Sequence, residues 1–190
     1  KILFIAMAFI AVTACTSKSG DAQLKEKVES YAVVEVSSPL YDALSENDKK
    51  IVDLFRQAGE IMDGLFWKQT FGDKTEIENL PDGYAKNYAL INYGAWDHLD
   101  NNNPFIEGYG AKPLGCQYYP QDMTAAEFEA FDDPNKLSLY TVIRRDENGA
   151  LKTVWYRDEY KDEIEKVCGL LEQAIELTTN EGMKKYLTER

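Results

Sequence analysis

The chain has one histidine in 190 residues, His98, and only three cysteines, Cys15, Cys116 and Cys168. Zinc sites draw three or four ligands from His, Cys, Asp and Glu, so a lone histidine already narrows that chemistry. Basic residues are scarce as well: 21 Lys and Arg stand against 33 Asp and Glu, a formal charge of −12. Phosphate backbones are held by clustered Lys and Arg, and this balance argues against a nucleic-acid partner. It argues equally against a polybasic grip on anionic lipid. The apolar stretch KILFIAMAFIAVTA, residues 1–14, falls short of the roughly 20 apolar residues that a membrane span takes. No internal repeat is present.

What stands at the N-terminus instead is a targeting pattern. A basic residue, a short apolar core and small residues before a cut point make a secretory signal over 1–14. The core ends in Val12-Thr13-Ala14-Cys15. An apolar residue, two small residues and then Cys resembles the bacterial lipoprotein signal, in which the thiol takes the lipid and the cysteine becomes the mature N-terminus. Cys15 is therefore the expected lipidation site. An ordinary secretory signal with an incidental cysteine is the alternative. Removing residues 1–14 takes away one charge, Lys1, and turns −12 into −13. Attachment to the membrane then falls to the lipid alone, and the expected location is the bacterial cell envelope, on the periplasmic or surface side of the outer membrane. Residues 15–30, opening with the polar run TSKSGDAQ after Cys15, read as a flexible tether. The chain starts on Lys1 rather than Met and stops at MKKYLTER in a helical pattern, so continuation at both ends is expected.

The folded part, 31–190, reads as one α+β unit, mostly helical with a small β-hairpin. YAVVEV (31–36) is a short strand or extended piece. Ser45 caps a long helix with acidic residues in its first turn. Ile51, Leu54, Phe55, Ala58, Ile61, Met62, Leu65 and Phe66 give it one wide apolar face. Gly72 stands where that helix stops. A second helix is expected over 83–92 and a shorter one after Thr124, through the capping pattern TAAE. LYTVIRRDENGALKTVWYR (139–157) is a hairpin, with Asn148-Gly149 supplying a positive-φ turn. An amphipathic helix over about 159–178 presents Ile164, Val167, Cys168, Leu171, Ala174 and Ile175. Cys116 and Cys168 are expected to be separate, semi-buried thiols. Arg144 and Arg145 look like solvated hairpin charge, and Asp132-Asp133 before Pro134 like a turn.

Between the second and third helices lies GAWDHLDNNNPFIEGYG, residues 94–110, within a long loop region, 93–123. Loops of that length inside a compact domain are either functional or packed into a shape, and the aromatic content favours packing. As an EF-hand calcium loop the stretch fails: counting from Asp97, Leu99 falls at the third position, Asn102 at the glycine position and Gly108 at the glutamate position. Gly108 and Gly110 open a G-x-G, but Pro113 occupies its last position, so there is no dinucleotide fingerprint. No nucleophile elbow is present. His98 is expected to be a partly buried hydrogen-bonding group, and the asparagines to supply turns and caps.

Three blocks carry a family resemblance: LSENDKKIVDLFRQAGEIMDGLFWKQTFGD, then INYGAWDHLDNNNPFIEGYGAKPLGCQYYPQDMTAAEFEAF, then SLYTVIRRDENGALKTVWYRDEYKDEIEKVCGLLEQA. They resemble the N-terminal half of bacterial members of the dipeptidyl-peptidase III family of zinc metallopeptidases, from about residue 40 to the end. The resemblance implies part of a two-lobed fold: a helical lobe carrying zinc, and a mixed lobe with a β-barrel core. It implies zinc held by two histidines of a helical H-E-x-x-(x)-H motif and a later glutamate, with the motif glutamate as general base on zinc-bound water. No H-E pair occurs in this sequence, and His98 stands in D-H-L-D. No catalytic or metal-binding role therefore passes to any residue here, and zinc is expected to be held beyond Arg190.

The reading that follows is the N-terminal portion of a lipid-anchored zinc peptidase acting on short peptides, inactive without the remainder of the protein. The alternative is a non-catalytic envelope lipoprotein that binds peptide or glycan ligands through its aromatic loop. A purely structural or assembly lipoprotein is a third.

Overall fold

A computed structural model describes residues 20–189. The expected signal and Cys15 lie outside the described residues. The first element is α1, Gly20–Glu29, where a flexible tether was expected. Asp21 in its first turn and Lys27 in its last suit the helix dipole, but none of its residues is buried. Ten residues are too few to hold a helix unaided in water, so α1 depends on docking against the body of the fold. The run 31–36 that follows has no regular structure, and Val33, Val34 and Val36 are exposed. A short α2, Pro39–Asp42, leads into the long α3, Glu46–Thr70.

Helix α3 is the spine. Ser45 caps it by accepting from the Asp48 amide, and Gly72, at φ +118°, lets the chain turn away just past its C-terminus. Its 25 residues span about 37 Å and carry three hydrophobic clusters in sequence. Ile51 and Leu54 pack with Ala174 and Leu187 near the start. Leu65 meets Val142 and Tyr160 further along. Trp67 and Phe71 join Ile77, Ala89, Ala95 and Trp96 at the end. Met62 and Phe66, placed by spacing on the buried face, are exposed; that face is narrower than its period implies.

Beyond α3 come α4, Thr75–Glu78, and α5, Tyr84–Asn92. The expected loop then folds into a miniature hairpin: β1, Trp96–Asp97, pairs antiparallel with β2, Asn103–Pro104. Asn101 and Asn102 both take left-handed backbone in the turn, at φ 50° and 56°, the conformation that asparagine tolerates best among residues with a side chain. Thr124 caps α6, Ala125–Ala130, by accepting from the Glu127 amide.

The second hairpin pairs β3, Thr141–Arg145, with β4, Leu151–Trp155. Only Gly149 has positive φ (82°); Asn148 does not. The Asp146 carboxylate instead accepts from the Asn148 and Ala150 amides and shapes the turn. The last expected helix is divided into α7, Tyr156–Glu159, and α8, Lys161–Leu177, with the buried Tyr160 at the break. Contacts of Ile51 and Leu54 with Ala174 at one end, and of Lys68 with Glu163 at the other, set α3 and α8 antiparallel. Helix α9, Glu181–Thr188, closes the first cluster with Leu187. The fold is mostly helical with two small antiparallel sheets, the α+β class expected. Among the described residues no helix is long and apolar enough to cross a membrane.

Candidate functional site

The described residues form two polar constellations, one around Asp97 and one where the second hairpin meets α3 and α8. In the first, Asp97 is only 2 % exposed. Its carboxylate accepts from the Lys27 ammonium, the Leu99 amide and the Tyr88 hydroxyl. Burial pushes the carboxyl pKa up, but these donors together outweigh it and hold the group below 3.8. Tyr88 pays the complementary effect: burial and the neighbouring Asp97 push its hydroxyl up to about 12. Asn92, also buried, accepts from the His98 amide and donates to the Tyr88 carbonyl. The node locks α1, α5 and β1 together.

His98 itself is exposed, with Nε2 lying 3.0 Å from Lys112 Nζ. Partial desolvation, then the Lys112 charge, hold the imidazole below 6.5, against the pull of Asp97. A cation beside the ring nitrogen is the opposite of what a metal ligand or general base requires. The aromatics around it face inward. Trp96 is 7 % exposed and donates to the Gly110 carbonyl at 2.8 Å. Tyr109 lies 5.8 Å from Phe71 and donates to Glu76 at 3.0 Å, while Phe105 lies 4.8 Å from Tyr88. The rings that made 94–110 look like a binding loop are part of the core.

The second constellation walls a polar recess of about 490 Å³ between Lys68, Gln117, Tyr119, Arg144 and Glu159. Here the two hairpin arginines are not solvated charge. Arg144 Nε donates to Glu159 at 2.8 Å, and its Nη1 donates to the Gln117 carbonyl at 3.0 Å. Arg145 forks onto Glu127 at 2.7 and 3.0 Å and also meets Asp122 at 2.9 Å. That guanidinium holds both carboxyls below their ordinary pKa, and they raise its own. Lys68 pairs with Glu163. Every cation at the recess thus has its anion, so the recess offers hydrogen bonding without a net positive field. Among the described residues no group of three His, Cys, Asp or Glu could hold a metal ion.

Cys116 is half-buried at φ 49°, Cys168 is exposed on α8, and both thiols are free; for Cys168 the helical face was drawn one position too wide. Asp133 behaves as expected: it accepts from the Asn135 amide in the turn, and Thr153 adds a second bond. The contacts that join distant elements, Arg144 with Glu159, Lys27 with Asp97 and Lys68 with Glu163, span 15, 70 and 95 positions, and no local pattern in the sequence announces them.

The same fold occurs in solved dipeptidyl-peptidase III structures. A dipeptidyl-peptidase III from Caldithrix abyssi superposes with a TM-score of 0.79 and 32 % identity, over 87 % of this chain and 34 % of that one. The enzyme from Corallococcus sp. strain EGB gives 0.80 and 28 %, over 90 % and 34 %. The fold is dipeptidyl-peptidase III-like. By sequence, Nudix hydrolase 3 of Arabidopsis thaliana is 23 % identical over 86 % of this chain and 29 % of its own length. The chain therefore spans about a third of each of these proteins. No family model matches it.

Proposed function

We propose that this chain is the N-terminal portion of a zinc-dependent dipeptidyl-peptidase III-like enzyme, lipid-anchored through Cys15, that hydrolyses short peptides in the bacterial cell envelope. The supporting observation is the superposition on two dipeptidyl-peptidase III structures at 28 and 32 % identity over nearly all described residues. The residues present do not fit zinc: no ligand set exists among those described, and the His98 ring faces Lys112. In this reading the metal is held by residues beyond Arg190, and residues 20–189 supply scaffold and a neutral, hydrogen-bonding recess.

The test is an assay of the full-length protein on dipeptidyl-naphthylamide substrates with and without a chelator. Cleavage that the chelator abolishes and zinc restores is the expected result. Absence of chelator-sensitive cleavage overturns the reading. Reading the gene onward offers an independent check, since a helical H-E-x-x-(x)-H followed by a helix-borne glutamate must appear. For the anchor, Cys15→Ala is expected to release the protein from membranes, and continued retention removes lipidation from the account.

A further inference from the structure

We infer that docking of α1 shortens the lipid leash enough to keep the β1–β2 hairpin, with Leu99 in its turn, near the lipid surface. The inference rests on the lipid-anchor reading of Cys15.

Helix α1 is fastened near its C-terminus and lies beside the hairpin at its N-terminus. Near its C-terminus Lys27 reaches the buried Asp97, with its ammonium 5.7 Å from the Tyr88 ring, and Tyr31 follows at 6.4 Å from the same ring. Near its N-terminus Gly20 forms one wall of a recess whose other wall is Asp100, Asn103 and Pro104 of the hairpin. Gly20 and the hairpin are therefore neighbours.

Five chain steps separate Cys15 from Gly20, and whatever path they follow they reach at most about 18 Å. Without docking the leash would run to residue 30, fifteen steps and about 54 Å when extended, and the domain could present any face. With docking, Gly20 and the hairpin beside it stay within about that shorter reach of the bilayer. Leu99, 82 % exposed, lies in the turn of that hairpin, between β1 and β2. Adhesion contributes nothing: at a net charge of −13 for the mature piece, an anionic leaflet repels the protein, and reach alone sets the distance. The opposite end of the spine, the first turn of α3 at Glu46, lies about 36 Å from Thr70 along the helix axis.

The experiment is energy transfer from a donor dye on an azido residue to rhodamine-headgroup lipid. It uses the lipidated full-length protein in vesicles of phosphatidylethanolamine and phosphatidylglycerol. Donors are placed at Leu99 or at Glu46. Transfer from Leu99 is expected to exceed that from Glu46 by about twofold or more, given separations of tens of ångströms, and not to fall with added salt, which only screens the repulsion. Lys27→Met is expected to narrow the difference. A long flexible Gly/Ser insert between residues 19 and 20 leaves the domain untouched and is expected to erase it. Equal transfer from the two positions, a difference that survives the insert, or transfer that falls with added salt each overturns the inference. A protein that never associates with vesicles removes the anchor reading as well; one that associates with equal transfer removes this inference alone.

Discussion

The Lys27 ammonium lies against the Asp97 carboxylate, seventy positions further along the chain, and ties a helix with no buried residue to the core. Asp97 is buried while Lys27 remains partly exposed, so the two partners are not equivalent. Removing the cation strands a charge in the interior; removing the carboxylate leaves a lysine that can turn to water. Lys27→Met is expected to cost about 3 kcal/mol, the low end for a broken buried pair, because the Leu99 and Tyr88 donors remain. Asp97→Asn is expected to cost about 1–2 kcal/mol. The double variant should cost less than the sum, as coupled partners do. Urea unfolding of the four proteins measures the cycle, and additive costs would show that the pair carries no coupling.

Acid acts on the same contact. Asp97 has a folded pKa below 3.8, so its charged form is favoured by folding. A depressed carboxyl contributes stability in full above the unfolded value and loses it as pH falls through the folded one. Hydrogen exchange of the α1 amides is expected to accelerate from about pH 4 downward, after correction for intrinsic rates. In Asp97→Asn this acceleration should vanish. Its persistence would assign the acid sensitivity to another group.

Glycine substitutions separate strain from entropy. At Gly94, φ is +145° and an added Cβ would meet Phe71 Cδ2 at 2.8 Å and Trp96 Cε3 at 3.4 Å. Both rings are buried in the cluster at the end of α3. Gly94→Ala is expected to destabilise by about 1–3 kcal/mol through overpacking and backbone strain together. Gly59 lies inside α3 with open space around it. Gly59→Ala is expected to stabilise by about 0.5–1 kcal/mol, because alanine restricts the unfolded chain. Thermal melts of the two variants should move in opposite directions.

Much of this architecture was legible locally. The Ser45 cap, the Gly72 stop and the Thr124 cap are short-range patterns and each is where it was expected, as is the apolar period of α3 apart from the exposed Met62 and Phe66. What escaped was whatever depends on distant partners. Nothing in GDAQLKEKVE distinguishes a tether from a helix until Asp97 arrives to take Lys27. The shape of 93–110 depends on two-residue strands and on left-handed Asn101 and Asn102, which periodicity cannot register. Arg144 and Arg145 read as solvent charge because Glu159 and Glu127 lie 15 and 18 positions away. The zinc expectation came from resemblance alone, and no residue described here holds it.

His98, the one histidine, offers a clean titration because a single imidazole signal reports on it. Partial desolvation and the Lys112 ammonium both disfavour the imidazolium, and Asp97 favours it. The ring is therefore expected to titrate below 6.5 by NMR. Lys112→Ala should raise the value, and Asp97→Asn should lower it further. Because the folded pKa is depressed, the unfolded chain binds more protons, and stability declines as pH falls from about 6.5 through the folded value. His98→Gln keeps a hydrogen-bonding group without the charge and should remove that slope. In the full-length protein the same variant is expected to leave peptide cleavage unchanged, since the ring lies against a lysine. A loss of turnover in a folded His98→Gln protein would place this histidine in the chemistry after all.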